Sequence, residues 1–460
     1  MTIDNKNSWR SFQLDYILEK KRKDRLLKVG KLTIFLLGLS LAAAALIIGF
    51  RSDFFSDIRP GTRQAPASTD LPETESIPSE KPFLLSKAEL APIIDPVEIL
   101  QSDKNIFFVD TLEHSYKITT SIDVYLQEYL LRVISRLKRL DRGKPQRIAF
   151  VVMEADTGKI LAMTGFDLEN KKANPCFESD YPAASIFKII TAAAAIEKLG
   201  YTPATRLYFN GKKYTLYKRQ LRDVKNKYTY QISFSQAFAE SINPVFGKIG
   251  KNRLGKQALE SYASAFGFNQ DIRSELDFFT GSFATTESEY HLAELGCGFN
   301  TDTTISPIFG AMLTAGIINQ GEVMIPSLVE HVTDAEGKVI YKNQKETYKT
   351  AIGPETASAL VTLMQRTVSS GTAKKTFRRA NRDSILSTLL IGGKTGSLYN
   401  REHTVKYDWF TGFAKQKKTG RSISMAIVVG HRKYMGTRAT TYAKMILKQY
   451  FKPHDRTAQN

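Results

Sequence analysis

The sequence predicts an α+β fold in which helices pack on an antiparallel β-sheet, preceded by one transmembrane helix. Three observations predict it. Nineteen uncharged residues run from Leu32 to Phe50. Two apolar segments around a short polar turn (RIAFVVME and KILAMTG) and three later ones (STLLIGG, YDWFTGFA and SISMAIVVG) have the composition of buried strands, with helical patterning between the two groups. Early and late strands that bracket helices read as one sheet completed by both ends of the domain. Of the 460 residues 42% are hydrophobic, including 27 Phe and 20 Tyr, enough to bury a sizeable core and to exclude wholesale disorder.

Taken in order, residues 1–31 form a tail with nine basic and four acidic side chains. Residues 32–50 are long enough to cross a hydrocarbon core of about 30 Å as a helix. Lys20, Lys21, Arg22, Lys23, Arg25, Lys28 and Lys31 lie before the run and only Arg51 immediately after it, which sets the N-terminus in the cytoplasm and everything beyond outside it. Residues 51–116 read as a tether, since seven of the 16 prolines fall between Pro60 and Pro96 among Ser, Thr and Glu. A folded domain is expected over 117–452, followed by a short tail over 453–460. The net charge is +19, of which the chain beyond residue 31 carries +14, an excess suited to an anionic membrane face, an anionic polymer or a carboxylate substrate. Exported placement disfavours nucleic acid.

Within the domain, Ile122, Leu126, Leu130, Val133, Leu137 and Leu140 recur on one helical stripe. The hairpin turns at Ala155-Asp156-Thr157-Gly158. A helix from about Ala184 to Leu199, stopped by Gly200, is apolar on all sides and is expected to be the central buried helix. Residues 206–227 hold eight basic side chains and one acid around an Asn210-Gly211 turn, and a last helix covers about Arg438 to Phe451. Cys176 and Cys297 lie 121 residues apart and leave a disulfide open. No Cys or His spacing suggests zinc, and neither a metal nor a cofactor is expected. Gly250 to Lys256 (GKNRLGK) lacks the Ser or Thr that a phosphate loop needs for magnesium and follows no strand.

Chemistry is concentrated in three short motifs. Ser185 opens the buried helix, where backbone N–H groups favour developing negative charge, and Lys188 lies one turn further along the same face. Burial among Phe and Ile should lower the lysine's pKa and let it act as a base toward the serine hydroxyl. Ser135-Arg136-Leu137-Lys138 has the same spacing but falls on a solvated helix face. Ser241-Ile242-Asn243 is the single S-x-N of the chain. Lys394-Thr395-Gly396-Ser397 continues an apolar strand, whereas Lys418-Thr419-Gly420 lies in a polar turn. The order S-x-x-K, S-x-N, K-T-G is that of penicillin-binding proteins and serine β-lactamases.

The chain resembles the transpeptidase domain of a penicillin-binding protein, of the short, monofunctional class B type. The resemblance extends to Thr120-Ser121-Ile122-Asp123, to the Ala149 to Thr164 hairpin, and to the nucleophile segment from Pro182 to Lys188. It also covers Leu295-Gly296-Cys297-Gly298 (with cysteine where glutamine is usual), Asn319-Gln320-Gly321, Gly371-Thr372 and Asp408-Trp409-Phe410-Thr411-Gly412-Phe413. It implies that fold, with a helical subdomain, and a D,D-transpeptidase that cross-links peptidoglycan stem peptides and is acylated by β-lactams. Ser185 would attack the carbonyl between the last two D-alanines, and Ser241 would relay the proton to the leaving amine. Asn243 would hold Lys188 and the substrate amide, while Lys394 and Thr395 would receive the terminal carboxylate. Gly396 would let the peptide lie along the strand edge as an added strand. N–H groups of Ser185 and Ser397 would form the oxyanion hole.

The roughly 65 residues between span and domain are too few for a glycosyltransferase domain or the usual pedestal of monofunctional members. The protein is therefore expected in the cytoplasmic membrane of a bacterium as a single-pass protein with its catalytic domain outside, beside a separate glycan polymerase. The same scaffold would also serve a D,D-carboxypeptidase or β-lactamase, which needs an activated water, or a non-enzymatic β-lactam sensor or wall scaffold.

Overall fold

The computed structural model describes residues 85–94, 101–111, 114–285 and 287–453. The basic tail, the expected membrane span, the first part of the tether and residues 454–460 lie outside the described residues. Among the described residues no helix is long and apolar enough to cross a membrane.

The elements that carry the argument are strands β1 (Ile106–Asp110) and β2 (Ser115–Thr120), helix α1 (Val124–Lys138), strands β3 (Arg147–Glu154) and β4 (Ile160–Asp167), and helix α2 (Lys188–Leu199). A two-stranded ribbon follows, β5 (Arg206–Phe209) and β6 (Tyr230–Ser233), then helices α3 (Phe234–Ala239), α4 (Asn243–Lys248), α5 (Glu289–Cys297) and α6 (Pro307–Ile318). The chain continues through β7 (Val329–Thr333), β8 (Val339–Lys342), α7 (Pro354–Ser369), β9 (Leu389–Tyr399), β10 (Lys406–Gln416), β11 (Ser422–His431) and α8 (Ala439–Tyr450).

The main sheet has the order β9-β10-β11-β3-β4, antiparallel throughout. The late strands meet the early hairpin where β11 pairs β3, with Ile427 opposite Phe150. Alternation divides the strands between two apolar layers. Ile148, Phe150 and Val152 face Leu126, Leu130 and Ile134 of α1 and Ala443 and Ile446 of α8. Ala149, Val151 and Met153 belong to the larger core with Ile189 and Ile190 of α2 and Phe309 and Met312 of α6. The α+β sheet flanked by helices is thus as expected.

Three details differ from the sequence reading. The stripe of α1 is buried from Leu126 to Leu137, but the helix stops at Lys138 and Leu140 is exposed. The most enclosed helix is α6, buried at every position from Pro307 to Ile317, whereas α2 emerges after Ala195 and is capped by Gly200 at φ +64°. Lastly, the boundary at residue 117 cuts through a folded sheet, because β1 and β2 pair with β7 and β8 in the order β1-β2-β7-β8. Leu85, Leu90 and Ile94 are buried in the larger core, and Leu85 N donates to Ile340 O at 2.8 Å. What reads as tether from Leu85 onward is therefore partly domain.

Candidate active site

Ser185 sits in a 3₁₀ turn, Ala184–Phe187, that runs directly into α2 at Lys188. The turn is held from behind. Trp409 Nε1 of β10 donates to Pro182 O at 3.0 Å, and Ala183 N donates to Thr303 O at 2.9 Å. Further back, the buried Arg147 guanidinium reaches Asp167 at 3.1 Å and Asp180 at 2.5 Å and stacks 3.9 Å from the Tyr181 ring centroid. Ala184 is left-handed at φ +49°, and a Cβ on Gly298 would come within 1.8 Å of Ala184 O, so the C-terminus of α5 seats against the turn through a bare glycine. A strained alanine fixed from two sides presents the next hydroxyl in one place.

Lys188 is completely buried, and its Nζ has three oxygen neighbours: Ser185 Oγ at 2.9 Å, Asn243 Oδ1 at 2.8 Å and Cys297 O at 2.6 Å. An ammonium has three donors and these oxygens match them. Burial pushes its pKa down to about 8, with the nearby Cys297 opposing. Once a proton leaves, the amine can accept one from Ser185. The carbonyl of Cys297 is one of the groups left open at the end of α5, and Thr191 Oγ1 takes the preceding one, Gly296 O, at 2.8 Å. A backbone carbonyl serves whatever the side chain, which accommodates cysteine at this position.

Asn243 begins α4, donating through Nδ2 to Tyr214 O at 3.2 Å and through its backbone N–H to Lys213 O at 2.8 Å. Ser241, two residues earlier, is also left-handed at φ +58°. Its Oγ accepts a 2.9 Å hydrogen bond from Lys394 Nζ, which also reaches Thr395 O at 2.9 Å. Lys394 is fully buried, and burial together with the charge of Lys188 holds its pKa well below the ordinary lysine value. Its head group is thus held by Ser241 Oγ and Thr395 O. The groups on the accessible side are hydroxyls, Thr395 Oγ1 and Thr372 Oγ1, which lie 2.6 Å apart. Gly396 also has a reason other than substrate: a Cβ there would meet Ala183 O, Ala184 Cβ and Ile186 Cγ1, each at 3.3 Å, so the glycine lets edge strand β9 lie against the nucleophile turn. Ser397 follows it, exposed.

The structure thus brings Ser185, Lys188, Ser241, Asn243, Lys394, Thr395 and Gly396 into one cluster, although Ser185, Ser241 and Lys394 are separated by 56 and 153 residues. Ser135 and Lys138 are exposed on α1, and Lys418 is exposed in the turn after β10. Cys176 and Cys297 are both free and buried. Sequence reasoning gave no role to Thr372, Thr191 or Arg147. Thr372 was quoted with Gly371 but given no role, because its partner lies 23 residues further along the chain.

Comparison with known proteins identifies the family. Residues 148–450 match the family described as the penicillin binding protein transpeptidase domain. Stage V sporulation protein D of Bacillus subtilis is 26% identical over 269 residues, 55% of this chain and 40% of that one. Peptidoglycan D,D-transpeptidase PbpA of Mycolicibacterium smegmatis is 27% identical over 253 residues, 48% of this chain and 50% of that one. The matches therefore span half or less of these relatives. Among solved structures, PBPA from Mycobacterium tuberculosis superposes with a TM-score of 0.58 at 23% identity, covering 72% of this chain and 80% of that one, a likeness of fold.

Proposed function

Since the chain belongs to the penicillin binding protein transpeptidase family, we propose that it is a peptidoglycan D,D-transpeptidase working through an acyl-enzyme on Ser185. The observation that carries this reading is the three-way contact of the buried Lys188 Nζ with Ser185 Oγ, Asn243 Oδ1 and Cys297 O, at a pKa of about 8. Such a lysine is uncharged often enough near neutrality to accept the serine proton.

Ser185 Oγ attacks the carbonyl carbon between the two terminal D-alanines as its proton passes to Lys188 Nζ. The developing oxyanion is received by the N–H groups of Ser185 and Ser397, a contribution whose loss typically costs about 3 to 4 kcal/mol. The packing of Gly396 on Ala183 and Ala184 supports the closeness of those two groups. Because Lys394 donates to Ser241 Oγ, the Ser241 hydroxyl proton is available to the departing amine, and the proton that Lys188 took from Ser185 replaces it on Ser241. The C–N bond breaks, D-alanine leaves protonated, and an acceptor amine attacks the ester to restore Ser185. Thr395 and Thr372 receive the terminal carboxylate.

The expected placement follows from residues 1–50: a single-pass anchor in the cytoplasmic membrane of a bacterium, catalytic domain outside, working on strands made by a separate glycan polymerase. Incubation with labelled penicillin tests the core of the reading. Stable label on the wild type, lost in Ser185→Ala at unchanged melting temperature, is the expected result. Label that decays within seconds would instead identify a hydrolase.

A further inference from the structure

Residues 206–230 form an ordered surface of unusual composition. Strands β5 and β6 make a two-stranded ribbon, and the loop between them buries Leu216, Gln220 and Leu221, with Gln220 as its hydrogen-bonding centre. Its Nε2 donates to Asn210 O at 3.0 Å and Lys212 O at 3.1 Å, while its Oε1 accepts from Tyr217 N at 2.9 Å and Thr215 Oγ1 at 3.0 Å. The loop is thereby fixed by hydrogen bonds, and its cations are left outside. Arg206, Lys212, Arg219, Arg222, Lys225 and Lys227 are all exposed, and none forms an ion pair with a carboxylate among the described residues. The one acid of the segment, Asp223, lies near Lys248 at 3.3 Å and Arg253 at 3.7 Å.

Aromatic rings interleave with these charges. Tyr228 is 70% exposed, Tyr230 60% and Tyr214 61%. Three of the cations lie over rings of the same surface, Arg219 over Tyr217 at 5.4 Å, Lys225 over Tyr208 at 3.9 Å and Lys227 over Tyr228 at 5.1 Å. Beneath the ribbon is a cavity of about 320 Å³ whose lining includes Arg206, Lys225, Lys248, Arg253 and Tyr208. The surface also borders the catalytic cluster, since Lys213 O and Tyr214 O are the acceptors that hold Asn243.

We propose that the 206–230 surface binds the peptidoglycan strand itself, as a docking site that delivers stem peptides to the cleft. The inference rests on the transpeptidase reading above and extends it beyond the reacting peptide. Stem peptides carry carboxylates that match the unpaired cations, and the sugar rings between them present C–H faces to flat tyrosines. A polymer bearing only phosphates would use the cations and leave the tyrosines idle. Because the surface abuts Asn243, a strand lying across it has its side peptides within reach of Ser185.

The test is sedimentation of the full-length chain with purified sacculi stripped of phosphate-bearing polymers. The wild type should pellet, and the bound fraction should fall as salt rises from about 0.05 to about 0.5 M. Arg219→Glu/Arg222→Glu/Lys227→Glu should lower the bound fraction about tenfold. Tyr228→Ala/Tyr230→Ala should lower it about threefold and leave the salt dependence in place. Penicillin labelling of Ser185 should be unchanged in both. Equal pelleting of the variants, or pelleting only with unstripped sacculi, would each overturn the proposal. A reversal variant that fails to label has lost its fold, and Arg219→Gln/Arg222→Gln then carries the same test at about threefold. An unlabelled wild type that still binds sacculi through these residues would refute the transpeptidase reading and leave the docking surface standing.

Discussion

Lys394-Thr395-Gly396 and Lys418-Thr419-Gly420 are the same tripeptide, one in edge strand β9 and the other in the turn between β10 and β11. Every residue does something different in the two places. Lys394 is buried, 5.5 Å from the Phe238 ring centroid, and bonds Ser241; Lys418 is exposed. Thr395 reaches Thr372 on another segment, while Thr419 Oγ1 donates to Gln416 within its own turn. Gly396 is glycine because the nucleophile turn packs against it, whereas Gly420 is glycine because the backbone there is at φ +78° with open space around it. The comparison teaches that the motif acquires its chemistry from the segments that cover it. Its own residues allow either outcome.

Replacement of the two lysines should break the equivalence most widely. Lys394→Ala leaves Ser241 Oγ without its donor, and acylation by penicillin is expected to slow about 10²- to 10⁴-fold. Lys418→Ala should leave acylation unchanged and alter stability by less than about 0.5 kcal/mol. Rapid-mixing acylation rates with melting curves measure both effects. Equal rates for the two variants would remove Lys394 from the proton path.

A pH profile sharpens the contrast between buried and exposed lysines. The reactive form of Lys188 is the neutral amine, so protonation below about pH 8 should suppress acylation. The rate is expected to rise about tenfold per pH unit up to that point and then to level. Had the lysine been solvated, the rise would continue to about pH 10. A flat profile between pH 6 and 9 would show that Lys188 is not the base.

Much of this contrast was legible in the sequence, for definite reasons. Lys394 followed an apolar strand and Lys418 stood among Lys, Thr and Gly, so local hydropathy separated the copies. The same holds for Ser185 and Lys188 against Ser135 and Lys138, and for the long, apolar strands of the main sheet. Strands β1 and β2 were not legible, because they are short, alternately exposed, and close onto β7 about 210 residues later in the chain. Nor could spacing reveal that Lys394 is buried against Ser241, since a sequence shows a charge but not what covers it.

The glycines offer a crossed test of intermediate size. In Gly396→Ala the added methyl meets three atoms of the nucleophile turn at 3.3 Å, so Ser185 must shift by a few tenths of an ångström. Because acyl transfer depends on alignment, acylation should fall about tenfold with a small change in melting temperature. Gly420→Ala meets no atom but places a side chain in the left-handed region, so it should cost about 1 kcal/mol in stability and leave acylation untouched. The reverse pattern would mean that the glycines had been assigned the wrong reasons.

The smallest expected effect concerns the threonines and asks whether the first tripeptide works through its neighbour. Thr372 and Thr395 present adjacent hydroxyls on the accessible side of the site, 2.6 Å apart, and a carboxylate placed against both would accept from each once their mutual hydrogen bond opens. Thr372→Val keeps the shape of the side chain and removes one donor, which for a charge-assisted hydrogen bond corresponds to about 1.5 to 3 kcal/mol, or roughly 10- to 150-fold. Remaining water and Thr395 would compensate in part, so acylation by penicillin is expected to slow about threefold. A β-lactam whose carboxylate is esterified lacks the acceptor, and the variant should react with it at the wild-type rate. Thr419→Val, outside the cluster, should alter neither reaction. If Thr372→Val slows both compounds alike, the hydroxyl pair orients β9 and the carboxylate is received elsewhere.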